Sequence, residues 1–231
     1  MPTTLSALAL LSILALPAAA ESDPEALRLI DEVRIASAGG RDIVPARIEI
    51  EAIYRYADDE KMIVDRTVIE PGELLFQERE IEGKTIRRGW QVDSAFLEGP
   101  EGRMELDSEM SENLELYLCR RQLDFLILCP GVELSLEPPS VEGRRVVAVR
   151  RGEVLLGELE IDLASHRLVM VRHPDEPLDG DIETDQPAVA ETIFSEYRQV
   201  EGWTLPHRVA TRVGGEERSS YSIERLHLTT D

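Results

Sequence analysis

Positive charge is scarce in this sequence. Asp and Glu number 46 against 25 Lys and Arg, a formal net charge of −21. Such a surface repels phosphate backbones and anionic lipid headgroups, which argues against nucleic acid as a partner and against adsorption to an anionic membrane through a basic patch. A basic protein partner, or plain solubility, suits it better. Histidine is scarce too: His166, His173, His207 and His227 offer none of the i, i+2 or i, i+4 pairs that build a metal site on one element. Carboxylates alternate from Asp179 to Asp185, but a calcium loop needs Gly at its sixth place and Glu at its twelfth. Thr184 and Ala190 stand there, so the stretch reads as a solvated acidic loop. No Gly-x-Ser-x-Gly elbow surrounds Ser219-Ser220, and in so acidic a chain no carboxylate pair stands out as an acid–base couple. No enzyme, cofactor or metal is expected. A hydrolase with an unrecognised site is the third-ranked alternative.

Long apolar runs are missing except at the start. Residues 1–20, MPTTLSALALLSILALPAAA, carry no charged side chain and end in Pro17-Ala18-Ala19-Ala20, small residues suited to signal-peptidase cleavage after Ala20. The alternative is an uncleaved anchor, but Leu5 to Ala20 is short for a span, which needs roughly 20 residues. No Cys follows, so a lipid anchor on the new N-terminus is not expected. The reading is an exported periplasmic chain without stable membrane insertion: a signal peptide over 1–20 and one domain over 21–231. Cysteine is limited to Cys119 and Cys129. In an unbroken helix, ten residues span about 15 Å, too far for a bridge, so a disulfide requires a bend between them. Two buried free thiols are the alternative.

What the chain does have is periodicity. Ser22-Asp23-Pro24-Glu25 opens a helix over 23–38, with Ala26, Leu29, Ile30, Val33 and Ala36 at helical spacing and Gly39-Gly40 as its stop. The period then becomes two: Ile48, Ile50, Ala52, Tyr54 and Tyr56 alternate with Arg47, Glu49, Glu51 and Arg55, a strand with one apolar face. Strand-like runs follow at 61–70, 73–81, 84–90 and 91–97, and again at 132–137, 144–151, 153–162, 167–173, 190–200, 203–213 and 217–228. Their short connections predict antiparallel pairing. Glu201-Gly202 and Gly214-Gly215 read as hairpin turns, and Pro206, with no N–H, predicts a sheet edge or a bulge. Between the two sets of strands, residues 108–129 read as a helix that becomes apolar almost all round at LDFLILC and ends at Pro130-Gly131. Arg120-Arg121 marks either an exposed face or the bend a disulfide needs.

Several segments together resemble the periplasmic lipoprotein-carrier superfamily, the LolA/LolB-like proteins. Tyr197, Val200, Gly202 and Pro206 match a Tyr-x-x-Val-x-Gly-x-x-x-Pro strand before the last strands. ELEIDLASHRLVMV is similar to that family's strand, Asp-containing turn and strand, with Asp162 at the turn. EALRLIDEVRIASAGGRD is similar to its first helix, and Gly89-Trp90 to a glycine–tryptophan pair. The resemblance implies an α+β fold, a strongly curved antiparallel β-sheet, or half-barrel, wrapped around helices. It also implies a concave apolar face that accepts lipid or lipoprotein acyl chains, each buried CH₂ contributing about 0.8 kcal/mol. No functional residue of the carriers is carried over.

The expected function is a carrier or sensor of an apolar ligand, with Tyr54, Trp90, Leu116, Phe125 and Trp203 as ligand-binding candidates that act by excluding water. Trp90, Trp203 and Phe96 are candidate cavity walls, with core packing as the alternative. The helix over 114–128 is either a movable lid or fixed core. An envelope protein-interaction or regulatory module of the same fold, binding a basic or membrane partner, is the second reading.

Overall fold

A computed structural model of the chain describes residues 22–43, 45–56, 59–71, 73–81, 83–91, 94–139, 141–175 and 188–229. The expected signal segment and the alternating carboxylates of residues 179–185 lie outside the described residues. Helix α1 (Pro24–Ser37) precedes six strands: β1 (Arg47–Tyr56), β2 (Asp59–Glu70), β3 (Leu74–Ile81), β4 (Lys84–Gln91), β5 (Ser94–Gly99) and β6 (Gly102–Glu105). Helix α2 (Ser108–Leu123) follows. Then come β7 (Glu133–Glu137), β8 (Arg144–Arg151), β9 (Val154–Asp162), β10 (Arg167–Asp175), β11 (Ala188–Val200), β12 (Trp203–Val213) and β13 (Glu216–Thr229).

The strands form one 13-stranded antiparallel sheet in the order β6-β5-β4-β3-β2-β1-β13-β12-β11-β10-β9-β8-β7. Chain neighbours are sheet neighbours throughout each half, and β1 with β13 joins the halves. The sheet stays open, with β6 and β7 as its edges and α2 in the connection between them. Its curvature follows from what α2 touches: β4 and β5 on one limb, β9 on the other. β4 and β9 are eight strand spacings apart in the order, about 38 Å in a flat sheet. A helix is only about 10–12 Å across, so the sheet must wrap around it. This is the α+β half-barrel that the strand pattern and the family resemblance predict.

Local chemistry sets the turns and ends. Glu201 and Gly202 both have positive φ, 51° and 83°, as a two-residue type I′ hairpin between Val200 and Trp203 requires. Asp162 accepts hydrogen bonds from the Ser165 N–H at 2.8 Å and its hydroxyl at 2.6 Å, closing the β9–β10 turn, and these bonds hold its carboxyl below the usual range. The cap of α1 is Asp23, whose side chain accepts from Glu25 N–H at 2.8 Å. Ser22 does other work: its hydroxyl accepts from the N–H of Leu134, and Asp23 N–H donates to the Leu134 carbonyl, so the start of the helix covers the β7 edge.

Three expectations are corrected. Pro206 is not on an edge strand, since β12 lies between β11 and β13; the ladder to β13 begins only at Arg208, so Pro206 falls outside the β12–β13 ladder. The central helix stops at Leu123 instead of running to Cys129. Beyond it the Phe125 and Ile127 N–H groups turn back to the Gln122 carbonyl and Leu126 N–H to that of Leu123, with Leu126 in the left-handed region at φ 57°. This reversal brings Cys129 to Cys119, Cα atoms 5.7 Å apart, and the two form a disulfide. Nor do Arg120 and Arg121 mark an exposed face: Arg120 is buried and Arg121 half-buried.

The limbs differ in chemistry. On the β7–β13 limb the concave face is aliphatic: Val147, Val149, Leu159, Ile161 and Val171 are fully or almost fully buried against Leu118 and Leu123 of α2 and the apolar stripe of α1. On its convex face, Glu160 is 1% exposed between Arg144 and Arg172. On the β1–β6 limb the concave face carries a polar network. Asp65 accepts from Thr67, Gln77 and Arg79, and Arg88 continues it to Gln77 and Tyr117. Phe96 lies on the convex face, opposite Gly89 and 6.4 Å from the Phe76 ring, so the two rings flank a strand glycine and Phe96 is no wall of the concave space.

Candidate ligand-binding site

An apolar cavity of about 260 Å³ lies between α1, the segment after α2 and the middle of the sheet. Its defining wall is Phe125, Leu126, Ile127 and Leu128. In a helix four consecutive residues would point to different sides. Because the helix stops at Leu123 and the chain reverses, all four line one space. Facing them are Ile48 and Leu228 from the central strand pair, Leu168, and Trp203 and Leu205 from β12. Trp203 is 5% exposed.

Polar groups are few, and the charged ones are paired. Arg34 is held by Asp42 at 2.7 Å, the Ile43 carbonyl at 3.1 Å and Asp31 at 3.2 Å. Asp124, at the end of the apolar wall, is buried and lies 2.9 Å from the Arg121 guanidinium; burial pushes its carboxyl up, against the opposing pull of Arg121. Tyr197 donates its hydroxyl proton to the Leu168 carbonyl, and burial raises its pKa.

Two segments that carry the family resemblance meet here. Arg41, just beyond the Gly39-Gly40 end of α1, donates to the Ala38 carbonyl at 2.8 Å and the Gly202 carbonyl at 3.3 Å, and sits 5.7 Å from the Trp203 ring centroid. Gly39 has φ +67°, and a Cβ there would come within 2.7 Å of the Gly202 carbonyl oxygen. Gly40 has φ +84° but nothing within 4 Å. Gly40→Ala is therefore expected to cost only the left-handed penalty, about 1–2 kcal/mol. Gly39→Ala should cost that and the backbone clash as well, giving the lower urea midpoint of the two and a shifted Trp203 emission.

The five sequence candidates are dispersed. Phe125 and Trp203 line the cavity. Tyr54 is buried beside it, stacked on Tyr221 at 4.5 Å with its hydroxyl accepting from Arg121 at 2.7 Å, next to a void of only about 10 Å³. Leu116 lines a separate polar groove of about 360 Å³ between α2 and the β8–β9 turn, where Glu115 pairs with Arg151 at 2.6 Å. Trp90 is half-buried on the concave face of β4, opposite Leu75 and Ala95 and away from the cavity. The remaining wall residues, Leu126 to Leu128, were visible in the sequence only as an apolar helix end. Among the described residues no helix is long and apolar enough to cross a membrane, and no cluster of three metal-ligating side chains occurs.

An open antiparallel half-barrel around helices is the fold this chain shares with solved LolA-superfamily structures. A LolA superfamily protein from Nitrosomonas europaea superposes with a TM-score of 0.55 at 9% identity, covering 89% of this chain and 94% of that one. A domain named as an outer membrane lipoprotein-sorting protein from Vibrio parahaemolyticus gives 0.54 at 13% identity, covering 89% and 93%. A DUF1329 family protein from Desulfovibrio piger gives 0.54 at 10%, covering 90% and 94%. No family model matches the sequence, and no curated protein matches it.

Proposed function

We propose that this chain is an exported, periplasmic carrier or sensor that holds one alkyl chain of a lipid or acylated protein in the cavity, with no covalent chemistry. The observation that carries the reading is the run Phe125–Leu128 turned as a unit toward Trp203 across an apolar space. The fold shared with a lipoprotein-sorting domain supports it. In size the cavity matches about nine water-sized groups. An alkyl chain of about that many carbons would gain roughly 7 kcal/mol from burial, before the cost of association. Of the sequence candidates, Phe125 and Trp203 would exclude water from the chain.

The sequence contains two tryptophans, so Trp90→Phe leaves Trp203 as the only reporter. Decanol is expected to shift Trp203 emission saturably, with the effect lost in Leu205→Asp, and gentle-condition mass spectrometry of the purified chain is expected to find co-purified lipid. An emission spectrum indifferent to decanol, together with a ligand-free mass, would sink the carrier reading. The net charge of −21 favours a second reading, an envelope module that engages a basic protein partner. That reading expects capture from envelope extract that disappears at high salt.

A further inference from the structure

Arg88 on β4 is a cation whose hydrogen-bond partners are both neutral. Its Nε donates to Gln77 Oε1 at 2.6 Å and Nη2 to the Tyr117 hydroxyl at 2.7 Å, with the guanidinium 4.4 Å from the Tyr117 ring centroid. These contacts fix the orientation of the group. Nη1 makes no hydrogen bond among the described residues and is not sealed from solvent. The neighbouring arginines on this face do have counter-charges: Arg79 meets Asp65 at 2.6 Å, and Arg121 meets Asp124 at 2.9 Å. Three guanidinium groups therefore face two carboxylates. The carboxylate nearest in this network, Asp65, is already paired with Arg79, so Arg88 is a partly buried charge with no carboxylate of its own; that is costly, and an incoming anion removes the cost.

The strand register extends the surface. Arg88 lies opposite Leu97, Leu97 opposite Met104, and Ile86 opposite Arg79. Cross-strand partners share a face. Ile86, Leu97 and Met104 are 37%, 40% and 50% exposed. An uncovered apolar strip thus crosses β4 to β6 on the concave side, and Arg88 stands beside it, between Ile86 and Leu97 in the register. None of these residues lines the cavity.

We propose that this strip is a second binding site, for a single-chain anionic amphiphile. The alkyl chain lies on Ile86, Leu97 and Met104, and a carboxylate or phosphate head accepts from Arg88 Nη1. The site goes beyond the cavity reading and stands without it.

Trp90 is two residues from Arg88 on the same strand and face, so in a Trp203→Phe chain it reports this site alone. Decanoate, kept below its micelle concentration, is expected to change Trp90 emission saturably. Arg88→Gln should weaken that binding at least tenfold, and Arg88→Lys should restore part of it. Decyl maltoside, with the same chain and a neutral head, should bind at least tenfold more weakly than decanoate and ignore Arg88→Gln. Inorganic phosphate should neither change the emission nor displace decanoate at millimolar concentration. If melting shows that Arg88→Gln does not fold, the exposed double variant Leu97→Ser/Met104→Ser takes its place, with the same tenfold loss expected. The proposal is overturned if decanoate fails to bind, or binds equally to these variants. Decyl maltoside binding as tightly as decanoate, or free phosphate competing with it, overturns it as well.

Discussion

Replacing Cys119 and Cys129 together by serine is expected to remove about 3 kcal/mol of stability. The two are ten residues apart in sequence, and closing a loop of that length restricts the unfolded chain by roughly this amount. The structural effect should be larger than the number suggests. Residues 108–129 carry a helical pattern to their end, yet the helix stops at Leu123 and Leu126 takes a left-handed φ of 57°. That conformation costs a non-glycine residue about 1–2 kcal/mol. Without the bridge, the segment relieves the cost by continuing the helix. Helical circular dichroism should then rise as the urea midpoint falls, and Phe125 to Leu128 should scatter around a helix and abandon the cavity. Dithiothreitol should shift the parent protein toward the double-serine variant and leave the variant unmoved. An unchanged midpoint and spectrum on reduction would mean that packing alone holds the wall.

Glu160→Ala is expected to cost about 3–5 kcal/mol, since deleting one member of a buried ion pair strands the others. Glu160 is 1% exposed; its carboxylate is paired with Arg144 from β8 and with Arg172 from β10 at 2.8 Å, so one side chain ties three strands. For a domain of this size the loss corresponds to a melting temperature lower by about 10 °C. Glu160→Gln keeps the shape and a hydrogen-bonding oxygen and should lose less. The Arg28–Glu32 pair on α1, with the arginine side chain 63% exposed, supplies the contrast: its removal should change stability by less than about 1 kcal/mol. Equal melting shifts for the two deletions would contradict this account.

Strands with one buried face were legible because alternation reports burial directly: Ile48, Ile50, Ala52 and Tyr54 are all buried, as their spacing predicts. Turns were legible where two adjacent residues must take positive φ, as at Glu201-Gly202. β6 was not, because all four of its residues are exposed and no alternation marks it. The end of α2 was hidden for a different reason. Nothing local stops a helix within LDFLILC; a covalent bond to Cys119 does, and spacing could only state that a bend was required. Large apolar side chains at irregular positions, Phe125 and Trp203, pointed to the cavity. Arg79 and Arg88 did not, since an arginine on a short strand reads as solvent-facing unless the far side of a curved sheet is known.

The pairing of β1 with β13 has a consequence for biogenesis. A ribosome delivers the first strand long before the last, so β1 waits as an unpaired border, Ile48 to Tyr56, through the synthesis of everything between. Hairpins in each half can close as they emerge, but the two arcs become one only when β13 arrives. Deletion of a few residues from β13 should therefore be far more damaging than loss of as many residues from the β6 border, and nascent chains arrested before β13 should be the form most prone to self-association.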